Sequence, residues 1–199
     1  MTETYFEIAA NVHSEFTEQK SKFLGFAHRV QSEEEIKAII ADLRAMHPNA
    51  NHVCYAYRLG KHYELYRFSD DGEPGGTAGR PIFGQIEAFK VTNVLVAVVR
   101  YFGGIKLGTG GLVANYQKSA RLTLDAAQVI EHKILQSLQF VYDYDVTSDI
   151  QQLLHVSKAV VEATDYAERC VCTVSLEPSQ IDDFKHKLMQ IKNTQLLSH

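Results

Sequence analysis

The chain has 199 residues, of which 45% are hydrophobic, 22% charged and 10% aromatic, a composition that excludes collagen-like, low-complexity and wholly disordered proteins. No apolar run approaches the ~18–20 residues that a membrane helix requires, and no secretory signal is expected because a basic segment followed by an apolar core is missing from the amino terminus. With three cysteines, a disulfide framework is not expected, and a reducing cytoplasm is the predicted compartment.

The excess of negative charge lies in the last third of the chain. Residues 1–130 contain 14 Lys and Arg and 14 Asp and Glu residues, whereas residues 131–199 contain 6 and 10, which accounts for the net charge of −4. A protein that coats a nucleic-acid duplex normally has a basic domain with a pI above ~9. Any contact with nucleic acid is therefore expected to be a local patch on the first part.

The first part is predicted to be a mixed sheet with helices packed on it. Three alternating stretches, at about 5–10, 12–17 and 22–30, indicate an antiparallel meander. Ser32 and Glu35 form a capping box that begins a helix ending before Pro48. Later elements are strands at 52–59, 63–68 and 94–101 and helices at about 77–89 and 111–128.

The second part has the β-α-β-β-α-β order of a ferredoxin-like domain, so the predicted class of the whole chain is α+β. Helices begin at Thr147 or Ser148 and at Pro178, and strands are expected at 136–145, 163–168, 170–176 and 195–198. Cys170 and Cys172 share one strand face and are expected in the core, because C-x-C alone is a weak metal signal. The boundary falls at 129–135, which gives predicted domains at 1–130 and 135–199.

A first glycine-rich loop, SDDGEPGGTAG at 69–79, contains the carboxylates Asp70, Asp71 and Glu73. Oxygen ligands at this density could hold Mg²⁺ or Ca²⁺ or act as acid and base, although the spacing is not that of an EF-hand. The alternatives are contact with a ligand or partner and a structural turn in which Thr77 caps the next helix. No metal site is predicted, and these three residues are weak candidates only.

A second glycine-rich loop joins the strand at 94–101 to the following helix. Backbone amides at a helix N-terminus bind anions, although close packing of helix on strand also requires glycine. Both common nucleotide fingerprints are incomplete here, so no nucleotide triphosphate and no cofactor is expected. Candidate anion-binding residues are Arg100, Tyr101, Lys106, Gly108, Thr109, Gly110 and Gly111.

Candidate nucleic-acid contacts in the first part are Lys20, Lys22, Arg100 and Lys106, and replacing the last two by Ala is predicted to abolish RNA binding without unfolding the protein. Tyr101 and Phe102 could stack on bases or could be core residues. His52 and Cys54 share one face of a strand and could form a base and nucleophile pair. Their spacing from other residues completes no triad.

Four stretches resemble one known family: KSKF at 20–23, HPNANHVCYAYR at 47–58, SDDGEPGGTAGRP at 69–81 and VVRYFGGIKLGTGGLVANY at 98–116. They resemble the IMPACT family, and over its whole length the chain is similar to bacterial two-domain members of the YigZ type. The resemblance implies a first domain similar to the second domain of a small-subunit ribosomal protein. It also implies a ferredoxin-like second domain similar to the last domain of elongation factor G, and a link to translation, but no established reaction.

Three functions are consistent with these patterns. The main hypothesis is a cytosolic, translation-linked binding or regulatory protein that contacts RNA, the ribosome or a translation factor through its first domain. No membrane is expected among its partners. The first alternative is a metal-assisted enzyme acting on a small phosphorylated or acidic substrate. The second is a protein-interaction scaffold without catalysis, and a non-enzymatic role is favoured.

Overall fold

The computed structural model describes residues 4–197, which have the α+β architecture that the sequence predicts. Two compact units divide the chain, the first formed by Tyr5–His132 and the second beginning at Lys133. The elements up to the boundary are β1 (Thr4–Ile8), β2 (Val12–Glu18), β3 (Ser21–Arg29), α1 (Glu33–Met46), β4 (His52–Leu59), β5 (Leu65–Ser69), α2 (Gly79–Ala88), β6 (Val94–Tyr101), α3 (Gly108–Asp125) and β7 (Val129–Lys133).

The main sheet of the first unit has the strand order β2-β3-β6-β4-β5, and each of its four pairings is antiparallel. The expected mixed sheet is therefore wrong in this detail. A strand, a helix and a second strand in succession suggest a parallel pair, and β3 and β4 do run in the same direction across α1. However, β6 inserts between them and runs opposite to both, so β3 and β4 never pair with each other.

The first strand does not extend a meander, which corrects the second expectation for this region. β1 pairs with β7 in a separate two-stranded sheet. Its neighbouring backbone groups also bond outside the main sheet, since Ala9 N donates to Gln128 O at 2.8 Å and Thr92 N donates to Phe6 O at 2.8 Å. Alternation of apolar and polar residues predicts a strand but carries no information about its partner.

Helices cover both faces of the main sheet, and this arrangement fixes which residues reach the site. α2 and α3 pack on the face that carries Cys54 and Val98, and Tyr116 of α3 lies in the same core. The core on the α1 side contains Leu43 and Val99. The predicted cap by Ser32 is present at the start of α1, where Glu35 N donates to Ser32 Oγ at 3.2 Å. The Glu35 carboxylate, however, accepts from Gln31 N at 2.6 Å and not from the Ser32 N–H of a complete capping box. Successive residues of β4 and β6 therefore face different helices.

The second unit has the predicted β-α-β-β-α-β order and one antiparallel sheet with the strand order β11-β8-β10-β9. Its core contains Phe140, Ile150 and Phe184 together with the free cysteines Cys170 and Cys172. The expected last strand at 195–198 lies at 194–197, and Ser198 is outside the described residues. The elements are β8 (Gln136–Tyr142), α4 (Thr147–Ser157), β9 (Val160–Tyr166), β10 (Cys170–Leu176), α5 (Pro178–Leu188) and β11 (Thr194–Leu197).

Candidate anion-binding cleft of the first unit

The two glycine-rich loops meet beside the start of β4. Register pairs Tyr55 of β4 with Ser69 at the end of β5, and His52 with Arg100 near the end of β6. Both loops therefore leave the sheet at the same end, on either side of one strand. Asn51 fixes the second loop to the start of β4, because its N–H donates to Arg100 O at 2.9 Å and its Oδ1 accepts from Phe102 N at 2.8 Å.

Asp70 caps the N-terminus of α2. Its Oδ1 accepts from Ala78 N at 2.9 Å and Gly79 N at 2.8 Å, and its Oδ2 accepts from Gly76 N at 2.8 Å. Burial by itself would raise the pKa of Asp70, but these three backbone donors outweigh it and lower the pKa below its usual value. Thr77, expected to cap this helix, instead donates to Pro74 O at 2.6 Å.

Asp71 fastens the same loop to two other elements. Its Oδ1 accepts from Arg44 Nη2 of α1 at 2.5 Å, and its Oδ2 accepts from Val53 N of β4 at 2.6 Å. Neighbouring carboxylates of the chain thus point to different partners. Sequence reasoning missed Arg44, which lies 27 positions away and carries no local signal.

Glu73 forms a buried ion pair with Arg100. Nη1 of Arg100 donates to Glu73 Oε1 at 2.5 Å, and the two side chains are 6% and 3% exposed. The hydroxyl of Tyr116 donates to the same oxygen at 2.7 Å, while Arg100 Nη2 lies 3.5 Å from Ser21 Oγ. Arg100, a candidate contact for anions and nucleic acid, is thus a buried residue held by Glu73.

The three carboxylates do not converge on a common point. Asp70 faces backbone amides, Asp71 faces α1 and β4, and Glu73 faces β6 and α3. Within residues 4–197, no group of three His, Cys, Asp or Glu side chains is arranged to hold a metal ion. Each carboxylate holds the loop in place through protein donors.

His52 and Cys54, the candidate base and nucleophile, each bond to a different group. His52 Nδ1 lies 2.8 Å from the carbonyl oxygen of Asp71, whereas Cys54 Sγ lies 3.0 Å from that of Asp70 and 3.4 Å from the Tyr116 hydroxyl. Burial raises the pKa of the Cys54 thiol to about 12, and burial likewise raises the pKa of Tyr116 above its usual value. Cys54 therefore stays protonated at neutral pH and is not an activated nucleophile.

The remaining candidates differ in exposure. Tyr101 donates or accepts a hydrogen bond with His47 Nδ1 at 2.9 Å, whereas Lys106 is exposed. Lys22 forms an exposed ion pair with Glu15 at 2.9 Å. Lys20 lies in the β2–β3 turn, where a Cβ on Gly103 would come within 2.0 Å of its carbonyl carbon. Glycine at 103 is required because the loop after β6 packs directly on that turn.

These contacts enclose a cleft of ≈ 390 Å³ between the two loops and the start of α3. Its lining includes His52, Glu73, Arg100, Phe102 and Lys106, together with Gly108 and Thr109 of the first turn of α3. Gly110 and Gly111 follow in the same turn. Ser21 and Tyr116, which position the ion pair, were missed by sequence reasoning because a buried serine and a tyrosine on an apolar helix stripe look like ordinary core residues.

The first turn of α3 is open to an anion. Over the described part of the chain, no side chain caps this helix, and its first turn contains no acidic residue. The N–H groups of a first turn have no partner within the helix and carry a partial positive charge. The cleft therefore offers backbone donors beside the exposed Lys106.

None of the helices over residues 4–197 is long and apolar enough to cross a membrane.

Comparison with known proteins shows the family to which the chain belongs. The Impact N-terminal domain matches residues 19–124, which include both loops. The chain is 31% identical to IMPACT family member YvyE of Bacillus subtilis (97% of this chain, 89% of that protein) and 33% identical to IMPACT family member YigZ of Escherichia coli (85% and 84%). A crystal structure described as that of a hypothetical protein covers 100% of this chain and 98% of its own, with 32% identity and a TM-score of 0.72. Because the domain match includes both loops and these relatives are matched over most of their length, the chain belongs to the IMPACT family, among its bacterial YigZ-type members.

Proposed function

We propose that this protein is a translation-linked regulatory protein that binds RNA of the ribosome through the cleft of its first unit. The observation that carries the proposal is the combination in one cleft of an open helix N-terminus, the exposed cation Lys106 and the exposed residue Phe102. Phosphate is bound by backbone amides and cations, and unstacked bases are bound by aromatic faces. The link of the IMPACT family to translation supports RNA as the ligand.

The neutral charge of the first part sets the mode of binding. Residues 1–130 carry equal numbers of acidic and basic side chains, so release of counterions from many phosphates does not drive affinity. A cleft that holds one or two phosphates fits this charge balance better than a broad basic face does. Binding is expected to depend only weakly on salt.

The enzyme alternative has less support in the geometry. Asp70, Asp71 and Glu73 would have to bind a metal or transfer protons, yet each is held by protein donors in a different direction. Cys54 is protonated and buried. The described residues thus favour recognition over chemistry, and a scaffold role without RNA is an outcome of the test below.

Co-sedimentation of the purified chain with ribosomes at low and moderate salt tests the proposal. Lys106→Ala should weaken binding and reduce the salt slope by about one, since one phosphate contact contributes roughly 0.7–0.9 to that slope. Lys61→Ala is the matched control, because Lys61 is exposed and follows the far end of β4, about 25 Å away at the usual strand rise.

Binding that Lys106→Ala weakens and Lys61→Ala leaves unchanged supports the proposal. Absence of binding at both salt concentrations contradicts it, as does equal binding by the Lys106→Ala variant and the wild type. Arg100→Ala is expected from the sequence to leave the protein folded, but it is unsuitable for this purpose because it removes the partner of buried Glu73. A loss of binding in that variant would report unfolding rather than a lost contact.

A further inference from the structure

We infer that the cleft recognises a phosphorylated ribose unit, with the phosphate at the start of α3 and the sugar hydroxyls at His52 and Glu73. The inference rests on the proposed function and adds the chemical class of the ligand. It follows from the division of the cleft into a wall of hydrogen-bond donors and a wall of acceptors. A ligand that fills both must carry an anion and hydroxyl groups together.

The donor wall consists of the first turn of α3 and Lys106. The backbone at Gly108 has a φ of +71°, and a Cβ there would meet no atom within 4 Å, so the chain is openly accessible at this point. Thr109, the next residue, lines the cleft and is exposed. Free amides, a helix N-terminus and a lysine together favour a phosphate.

The acceptor wall consists of His52 and Glu73. A carbonyl oxygen only accepts, so the 2.8 Å contact with Asp71 O places the hydrogen of the neutral imidazole on His52 Nδ1 and leaves Nε2 as an acceptor. Nε2 lies 3.8 Å from Glu73 Oε1, beyond hydrogen-bond distance. Through the described residues, the three contacts of the Glu73 carboxylate are all at Oε1, and Oε2 has no hydrogen-bond partner. Such acceptors complement the hydroxyls of a ribose.

Arg100 adds a buried charge and one unpaired donor to the wall of the cleft. It is 5% exposed and lines the cleft, and in the part of the chain that the structure describes its Nε has no hydrogen-bond partner. Unpaired buried donors are rare in folded proteins and call for an explanation.

Phe102 extends the site from a sugar phosphate to a nucleotide. The residue is 44% exposed, and the Arg100 guanidinium carbon lies 5.6 Å from the ring centroid. One face of an exposed aromatic ring on the cleft wall can stack on a base. The cleft volume of ≈ 390 Å³ lies at the small end of the ~300–1,000 Å³ typical of ligand sites, which suits one nucleotide unit.

Two isosteric variants at one position test the phosphate site. Thr109→Asp places a carboxylate in the first turn of α3, where it also favours the helix dipole and so should not impair folding. Thr109→Asn has nearly the same shape without the charge and is the control. The probes are adenosine 5′-monophosphate, its 2′,3′-dideoxy analogue, ribose 5-phosphate, adenosine and inorganic phosphate, titrated into the full chain and followed at the amides of residues 108–111 by NMR.

We expect adenosine 5′-monophosphate to bind the wild type and Thr109→Asn alike, and Thr109→Asp at least about tenfold more weakly, a change of ~1.4 kcal/mol. Adenosine and the dideoxy analogue should each bind at least about tenfold more weakly than the full nucleotide. Tighter binding of the nucleotide than of ribose 5-phosphate assigns the base to Phe102, whereas equal binding limits the site to the sugar phosphate. Equal binding of the nucleotide by the Asp and Asn variants overturns the phosphate site, and inorganic phosphate binding as tightly as the nucleotide overturns the acceptor wall.

Failure of this inference is distinguishable from failure of the proposed function. If ribosomes bind in a Lys106-dependent manner but no probe binds, the RNA contact stands and the ribose phosphate site is wrong. If the nucleotide binds and Thr109→Asp abolishes that binding while ribosomes do not bind, the site stands and the proposed function is wrong.

Discussion

Replacing Arg100 by Met should destabilise the first unit strongly, because the change leaves the Glu73 carboxylate without its ion-pair partner in a buried position. The two side chains are 6% and 3% exposed, with 2.5 Å between Nη1 and Oε1. Removing one member of a buried ion pair costs about 3–5 kcal/mol, since the remaining charge is not rehydrated. For an m-value of roughly 2 kcal/mol/M, the urea midpoint should fall by about 1.5–2.5 M.

A second arginine in the same loop system provides the matched control. Arg44 lies at the same 2.5 Å from Asp71, but the two side chains are 50% and 20% exposed. Exposed pairs contribute about 0–1 kcal/mol, so Arg44→Met should shift the midpoint by less than about 0.5 M. The two variants remove the same group at the same distance and differ in burial, which decides the magnitude.

Urea denaturation of the full chain, followed by NMR at amides of the first unit, measures both effects without contribution from the second unit. Adding Glu73→Gln to Arg100→Met should recover part of the loss, because the stranded charge is then removed as well. The reasoning is refuted if Arg100→Met and Arg44→Met cost the same, or if the double variant is as unstable as the sum of its two single variants.

Three further outcomes test individual contacts. Asp70→Ala should lower the stability by about 1–2 kcal/mol at pH 7 through the lost helix cap. Because the pKa of Asp70 is lowered in the folded state, the wild type loses this stabilisation as the pH falls below 3.8. Thermal unfolding should therefore show a smaller difference between the variant and the wild type at low pH. Gly103→Ala should cost about 1–3 kcal/mol because its Cβ would overlap the Lys20 backbone, whereas Gly75→Ala, with open space around it, should stay within about 0.5 kcal/mol in the same denaturation assay. At pH 8 the Cys54 thiol, with a pKa of about 12, should react with a thiol reagent at least ~100-fold more slowly in the folded chain than in urea. The Cys54→Ala variant identifies which of the observed reactions belongs to Cys54, and comparable rates in the two conditions would contradict its burial.

The sequence predicts what depends on neighbours along the chain. The order of elements in the second unit follows from alternation and helical spacing, and the Ser32–Glu35 cap follows from a local pair of residues. The two loops stand out because glycine is concentrated between a strand and a helix, together with three acidic residues in the first loop. Each of these signals spans fewer than about 20 residues.

Contacts between distant parts of the chain are not encoded in such local signals. Asp70, Asp71 and Glu73 have the same spacing whether they bind a metal or hold a loop, and the choice is made by Arg44 of α1 and Arg100 of β6. The insertion of β6 between β3 and β4 likewise depends on pairing between segments about 40 to 70 residues apart, which local periodicity does not determine. Sequence reasoning therefore finds the loops but not the roles of their side chains.

The same contacts that hide the carboxylates explain how a cleft with few free cations can bind an anion. Asp70, Asp71 and Glu73 fix the first loop to five elements (α1, α2, α3, β4 and β6) before any ligand arrives, so little of its conformational freedom is left to lose on binding. The cost of ordering then falls on the exposed side chains of Phe102 and Lys106. A ligand group that reaches the α3 amides meets donors already in position, and preorganised donors bind an anion more strongly than mobile side chains do. Acidic residues in this loop thus favour binding of a negative ligand, provided that each stays bound to its own donor.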